Sequence, residues 1–123
     1  MKSFNKDIGN YGEDLAYNYL IHKGYYILKR NFRNRFGEID LICKKDGIII
    51  FVEVKSRYSS SYGTPLEAIT YYKQKQIINL CKFYITLNKL YNYNCRFDVI
   101  EILLNQKNNL FLLNHYEDAF RES

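Results

Sequence analysis

Near the middle of the chain, polar and apolar residues alternate in two short runs, Glu38-Ile39-Asp40-Leu41-Ile42 and Phe51-Val52-Glu53-Val54-Lys55. Asp46-Gly47 lies between them. Asp-Gly between apolar runs predicts a β-hairpin, because a type I′ turn needs positive φ at both central residues. With Asp46-Gly47 as a two-residue turn, Lys45 faces Ile48. Counting outward, Asp40 then falls opposite Glu53 and Glu38 opposite Lys55. The other face pairs Ile39 with Val54, Leu41 with Val52, and Cys43 with Ile50. One face is expected to be apolar throughout, and the other to gather three carboxylates and a lysine.

The flanking segments change period to that of helices. A helix is expected from about Asp7 to Lys23, with Ile8, Leu15, Ala16, Tyr19 and Leu20 on its apolar side. Asp7 suits the N-cap and Gly24 the terminator. Gly9 and Gly12 cost helix propensity, so close backbone approach is expected there. Tyr25 to Arg33 reads as a first strand, Asn34 to Gly37 as a turn, and Ser56 to Gly63 as a polar loop. Thr64, Pro65 and Glu67 form a capping box with proline at the first helical position. They predict a second helix running to about Leu87, with Ile69, Ile77, Leu80 and Tyr84 inward. Lys73, four residues from both Ile69 and Ile77, lies on that inward side and would snorkel or reach a phosphate. Arg96 to Leu103 and Leu110 to His115 read as further strands. The order αβββαββ places the chain in the α/β or α+β class, a mixed sheet flanked by helices.

The acid pair in the hairpin requires an explanation. Directly opposite residues have Cβ atoms about 4.5–5.5 Å apart. Two full charges at roughly 5 Å repel by about 3 kcal/mol at an effective dielectric near 20. A favourable cross-strand pair returns only about 0.2–1 kcal/mol. A proton, Lys55 or a divalent cation must therefore neutralise Asp40 and Glu53. Glu38, Asp40, Glu53 and Lys55 sum to two negative charges, which suits one Mg²⁺ held by hard oxygen ligands. The alternative is a solvated strand face with a Glu38–Lys55 ion pair. Glu13 borders the apolar stripe of the first helix. It is either a further ligand or an acid complementing the helix dipole.

Bulk properties narrow the class. At 123 residues, with one proline and no low-complexity tract, the chain reads as a single domain over 1–123. Hydrophobic content of 47% and charged content of 25% are ordinary for a soluble protein. No apolar run is long enough to span a membrane, and residues 1–14 lack a signal-peptide pattern, so a cytoplasmic location is expected. Cys43, Cys81 and Cys95 form no CxxC pair, which argues against a zinc site or a disulfide framework. The net charge of +5 favours a polyanionic partner. Lys29, Arg30, Arg33 and Arg35 crowd before Glu38 with Phe32 and Phe36 among them. Such a cluster either grips phosphates and stacks on bases or protects a solvated edge strand.

Together these residues have a chemical logic. Period two puts Glu53 and Lys55 on one face. Asp40 and Glu53, with the Val54 carbonyl, can hold Mg²⁺, which polarises a phosphoryl oxygen and activates bound water. Lys55 can orient that water. Asp40 followed by Glu53-Val54-Lys55 resembles the PD-(D/E)xK nuclease signature, with Ile39 in place of its proline. The wider pattern is similar to the YraN-like family of small, uncharacterised bacterial proteins. It comprises Gly9-Asn10-Tyr11-Gly12-Glu13, Gly24-Tyr25, Arg30-Asn31, Arg33, Gly37 to Ile42, Phe51 to Lys55, Arg57, Lys73-Gln74, Arg96-Phe97-Asp98 and Ala119-Phe120. The resemblance implies a restriction-endonuclease-like core, like that of Holliday junction resolvases. It also implies Glu13, Asp40, Glu53 and Lys55 as the active-site set.

The expectation is a Mg²⁺- or Mn²⁺-dependent DNA endonuclease acting on branched or single-stranded structures. Arg30, Arg33, Arg35, Arg57, Lys73 and Gln74 are the expected nucleic-acid contacts. Nothing resembles a base-reading module, and a homodimer is expected by analogy with resolvases. The competing reading is a non-catalytic nucleic-acid-binding or protein-interaction module that keeps the nuclease fold.

Overall fold

The computed structural model describes residues 2–58 and 69–122, with side chains from residue 8 onward. The elements are α1 (Lys2–His22), β1 (Tyr26–Asn34), β2 (Gly37–Lys45), β3 (Ile48–Tyr58), α2 (Tyr71–Leu87), β4 (Asn94–Leu104) and β5 (Phe111–Phe120). Five strands form one mixed sheet in the order β1-β2-β3-β4-β5. Only β3 and β4 run parallel, and α2 belongs to their crossover. The other pairs are antiparallel.

The Asp-Gly hairpin forms as its turn chemistry dictates. Asp46 and Gly47 both take positive φ, 52° and 78°. Lys45 faces Ile48, Cys43 faces Ile50 and Leu41 faces Val52. Alternation then divides β2 and β3 between two cores. Leu41, Cys43, Ile50 and Val52 pack with Ala16 and Leu20 of α1. Ile42, Ile49 and Phe51 pack with Ile77, Leu80 and Tyr84 of α2. The sheet therefore lies between α1 and α2.

Several boundaries differ from the sequence expectation. The helix is already formed before Asp7, so Asp7 is not its N-cap. Its end is as expected, with the Tyr25 N–H reaching back to the Leu20 carbonyl at 2.9 Å. Strand β3 continues through Ser56, Arg57 and Tyr58, which were expected in a loop, because all three pair with β4. Thr64, Pro65 and Glu67 lie outside the described residues. A continuous helix from Thr64 to Leu87 does not form, because Thr70 is extended, with ψ 160°. Thr70 caps α2 instead, its hydroxyl accepting from the Lys73 N–H at 3.1 Å. Strand β5 runs five residues past His115.

The helical glycines separate. A Cβ on Gly12 would lie 1.6 Å from the Ser56 Oγ, so only glycine lets α1 lie this close to β3. Gly9 has open space at that position, and the close approach expected there is absent.

Candidate active site

The site begins where β2 and β3 separate. Leu41 opposite Val52 is the last paired position of this hairpin. Beyond it the Asp40 side chain replaces a backbone acceptor, with Oδ2 taking the Val54 N–H at 2.8 Å. A strand residue directs its N–H and C=O toward the same neighbour. The Val54 carbonyl therefore faces the same opening.

Alternation also slips by one at Asp40. Ile39 packs in the core beneath α2, whereas Leu41, two residues on, packs in the core beneath α1. In β1, Asn31 lies between Arg30, which pairs with Leu41, and Phe32, which pairs with Ile39. Asn31 has φ 55°, a left-handed conformation that asparagine tolerates well. This irregularity corrects the expected face, because Ile39 does not share a layer with Leu41 and Cys43.

Three carboxylates converge here from two elements. Ligand oxygens of Glu13 on α1 and of Glu38 and Asp40 on β2 all lie within 4.8 Å of one another. Gly12 brings the middle of α1 down onto β3 and so carries Glu13 over β2. Glu13 is held above the ordinary carboxylate range, first by burial and then by the Asp40 charge, with Arg30 opposing the shift. Glu53, only 5% exposed, completes the group through Asp40. Burial raises its pKa most, to about 9, followed by its hydrogen bond and repulsion with Asp40. Lys73 and Lys55 act in the opposite direction. The upward shift favours the protonated form of Glu53, which relieves its repulsion with Asp40.

The expected site residues occupy three places. Glu13 and Asp40 are in the acidic cluster, and Glu53 adjoins it, with its Oε2 3.7 Å from the Lys73 Nζ. Lys55 follows Glu53 by two on β3 and faces the α2 side with it. Glu38 does not pair with Lys55. It sits opposite Arg33 on β1 and bonds its guanidinium at 2.6 Å. Glu38 is therefore a member of the acidic cluster beside Glu13 and Asp40, on the acidic face the sequence gave it but not as the partner of Lys55. Hairpin counting around Arg35-Phe36 would have shown its partner, since Asn34 faces Gly37.

Of the expected nucleic-acid contacts, Arg33 and Lys73 bond the acids of the site and the others have partners of their own. Arg30 pairs with Asp14 and lies over the Tyr17 ring. Arg35 lies over the Phe36 ring at the β1–β2 turn. Arg57 bonds the buried Glu101 at 2.6 Å. The Gln74 side-chain amide donates to the Ile69 carbonyl at 3.1 Å.

The donor set fits a small hard cation. Two ligands of one Mg²⁺ at about 2.1 Å are at most about 4.2 Å apart. Neighbouring ligands of such an octahedral ion are about 3.0 Å apart, so carboxylates within 4.8 Å of one another would close by at most about 2 Å around it. A divalent charge there would also offset the repulsion from Asp40 that adds to burial in raising Glu53 and Glu13.

Residues 12–102 match the uncharacterised protein family UPF0102. The chain is 54% identical over 121 residues to a UPF0102 protein of Clostridium botulinum strain Eklund 17B, covering 98% of this chain and 99% of the relative. It is 53% identical to one from Clostridium perfringens strain 13, with the same coverage. A Clostridium beijerinckii relative is 52% identical, with 98% of each chain covered.

Proposed function

The chain belongs to the uncharacterised protein family UPF0102, and on that premise we propose that it is a metal-dependent endonuclease hydrolysing phosphodiesters of DNA. The carrying observation is the convergence of Glu13, Glu38 and Asp40 within 4.8 Å. The proposal treats the αβββαββ order as a restriction-endonuclease-like core and the chain as a YraN-like member of the PD-(D/E)xK nucleases.

Asp40 would hold one Mg²⁺ or Mn²⁺, with Glu13 and Glu38 on one side and Glu53 and the Val54 carbonyl on the other. When bound, the ion polarises the phosphoryl oxygen and lowers the pKa of its water. Glu53 would bind as its deprotonated carboxylate. Lys55 faces the same layer as Glu53 and offsets charge developing on the phosphate. Arg30 and Arg33 hold the DNA backbone. Their present partners Asp14 and Glu38 do not prevent this, because exposed ion pairs contribute only about 0.2–1 kcal/mol and exchange readily.

A second reading has one observation in its favour. Arg33 and Lys73 already lie at 2.6 and 3.7 Å from Glu38 and Glu53, partly neutralising the acids without a metal. That arrangement would suit a non-catalytic binding module.

The two readings separate in one assay. Purified protein is incubated with flap, Holliday-junction and single-stranded DNA in Mg²⁺, Mn²⁺ or EDTA, beside Glu53→Ala and Lys55→Ala. The nuclease reading expects metal-dependent cleavage, reduced by about 10²-fold or more in both variants. DNA binding without cleavage of any substrate, unchanged in the variants, would establish the binding module instead.

A further inference from the structure

A cleft of about 520 Å³ lies beyond the acidic cluster, between the β1–β2 turn and α2. Its walls carry Phe36, Tyr72 and Phe83, together with Lys75, Gln76 and Asn79. Phe36 and Tyr72 are 60% and 77% exposed, far more than rings of this size need to be in a domain with two cores to fill. Arg35 lies over the Phe36 ring at 4.9 Å. Lys75 lies over the Tyr71 ring at 5.1 Å. Among the described residues, no carboxylate lines the cleft.

Its shape is maintained from within. The Asn34 Oδ1 accepts the Phe36 N–H at 2.8 Å, closing the turn. The Gln76 Nε2 donates to the Phe36 carbonyl at 2.5 Å, tying the turn to α2. The remaining amide groups, the Asn34 Nδ2, the Gln76 Oε1 and both polar atoms of Asn79, have no hydrogen-bond partner among the described residues. The cleft therefore offers ring faces, amide donors and acceptors, and positive charge.

We propose that this cleft binds unpaired nucleotides of a single-stranded segment, stacking bases on Phe36 and Tyr72 while Lys75 and Arg35 meet the backbone. The inference rests on the nuclease reading and assigns its substrate a single-stranded stretch beside the cut. Phe36, in the turn before β2, precedes Glu38 by two residues, at most about 7 Å of backbone, or two base steps of a stacked strand at about 3.4 Å each. A base has a flat π-face at any sequence, so stacking suits an enzyme without a base-reading element. Positive charge without any carboxylate favours a polyanion over an apolar peptide.

The test is fluorescence anisotropy in EDTA, with a short labelled single strand and the blunt duplex of the same sequence. Native protein is compared with Phe36→Ala and Tyr72→Ala, both exposed positions whose removal leaves the cores intact. Each variant is expected to bind the single strand roughly fivefold or more weakly, with duplex affinity unchanged within about twofold. Equal single-strand affinity in native and variant proteins would overturn the proposal. So would a native dimer that sediments as a monomer once Phe36 and Tyr72 are changed, because the cleft would then hold a second copy of the chain. Turnover is excluded in EDTA, so the cleft and the nuclease reading fail separately. Ring-dependent binding without metal-dependent cleavage would remove the nuclease and leave the cleft. Cleavage with ring-independent binding would do the reverse.

Discussion

Asp40 is the residue at which the two layers of the site meet. Its carboxylate satisfies the Val54 N–H, faces Glu13 and Glu38, and adds to the burial that raises Glu53. The strain between the acids is a stability term that varies with pH. Glu53 has a folded pKa raised from 4.5 to about 9, so its contribution is complete below pH 4.5 and is lost as the pH rises toward about 9. Metal-free protein should accordingly lose stability across that window. Glu53→Gln, which imitates the protonated form, should flatten the dependence and stabilise the metal-free protein at pH 8 by about 1–3 kcal/mol. Urea titrations of both proteins at pH 5 and pH 8 in EDTA measure this; identical pH dependence would show that Glu53 does not hold the proton. The proximity of Asp40 and Glu53 was legible in the sequence, because an Asp-Gly turn fixes register. The slip at Asp40 was not. It depends on the left-handed Asn31 across the sheet, and no pattern within β2 alone reports it.

At the scale of elements, the site depends on how closely α1 approaches β3. Glu13 reaches Asp40 because Gly12 meets Ser56 with no room for a Cβ. Gly12→Ala should push α1 outward and destabilise the protein by about 1–3 kcal/mol. Adding Ser56→Gly should restore most of the loss, since it removes the atoms that collide. Denaturation midpoints of the two single variants and the double variant read the coupling directly, and additive effects would show that the contact is not limiting. The sequence announced the glycines but could not say which one touched a strand, since Gly9 and Gly12 look alike along the helix.

Strand β5 illustrates the same limit. Its length reflects the buried Asp98, which accepts from the Arg96 Nε at 2.8 Å and from the Asp118 N–H at 2.9 Å, and meets the His115 Nε2 at 2.7 Å. Burial alone would raise the Asp98 carboxyl, but these hydrogen bonds outweigh it and leave the pKa below 3.8. Asp98 therefore stabilises the fold above that pH and ceases to do so in stronger acid. Asp98→Ala, which strands the Arg96 charge, should cost about 3–5 kcal/mol by thermal or chemical unfolding. A loss below about 1 kcal/mol would show that water replaces the carboxylate without difficulty. Partners on another strand, seventeen or more residues away, gave no periodic signal in the sequence.

Across the whole molecule, one sheet between two helical layers brings three elements to a single opening in the hairpin. Element order and the β2–β3 pairing follow from periodicity and turn residues, whereas the parallel β3–β4 pairing and the division into two cores come from how the elements dock. The grouping of Glu38 with Glu13 and Asp40 emerges only once α1 is docked. The net charge of +5 is consistent with a nucleic-acid partner, and the proposed DNA affinity should fall steeply with added salt.

The account centres on one cation held through Asp40, and a Mn²⁺ titration followed by electron paramagnetic resonance tests it most directly. Native protein should take up one Mn²⁺ per chain, and Asp40→Asn should weaken that uptake by at least about tenfold while remaining folded. Absence of uptake by the native protein, or equal affinity in Asp40→Asn, would contradict it.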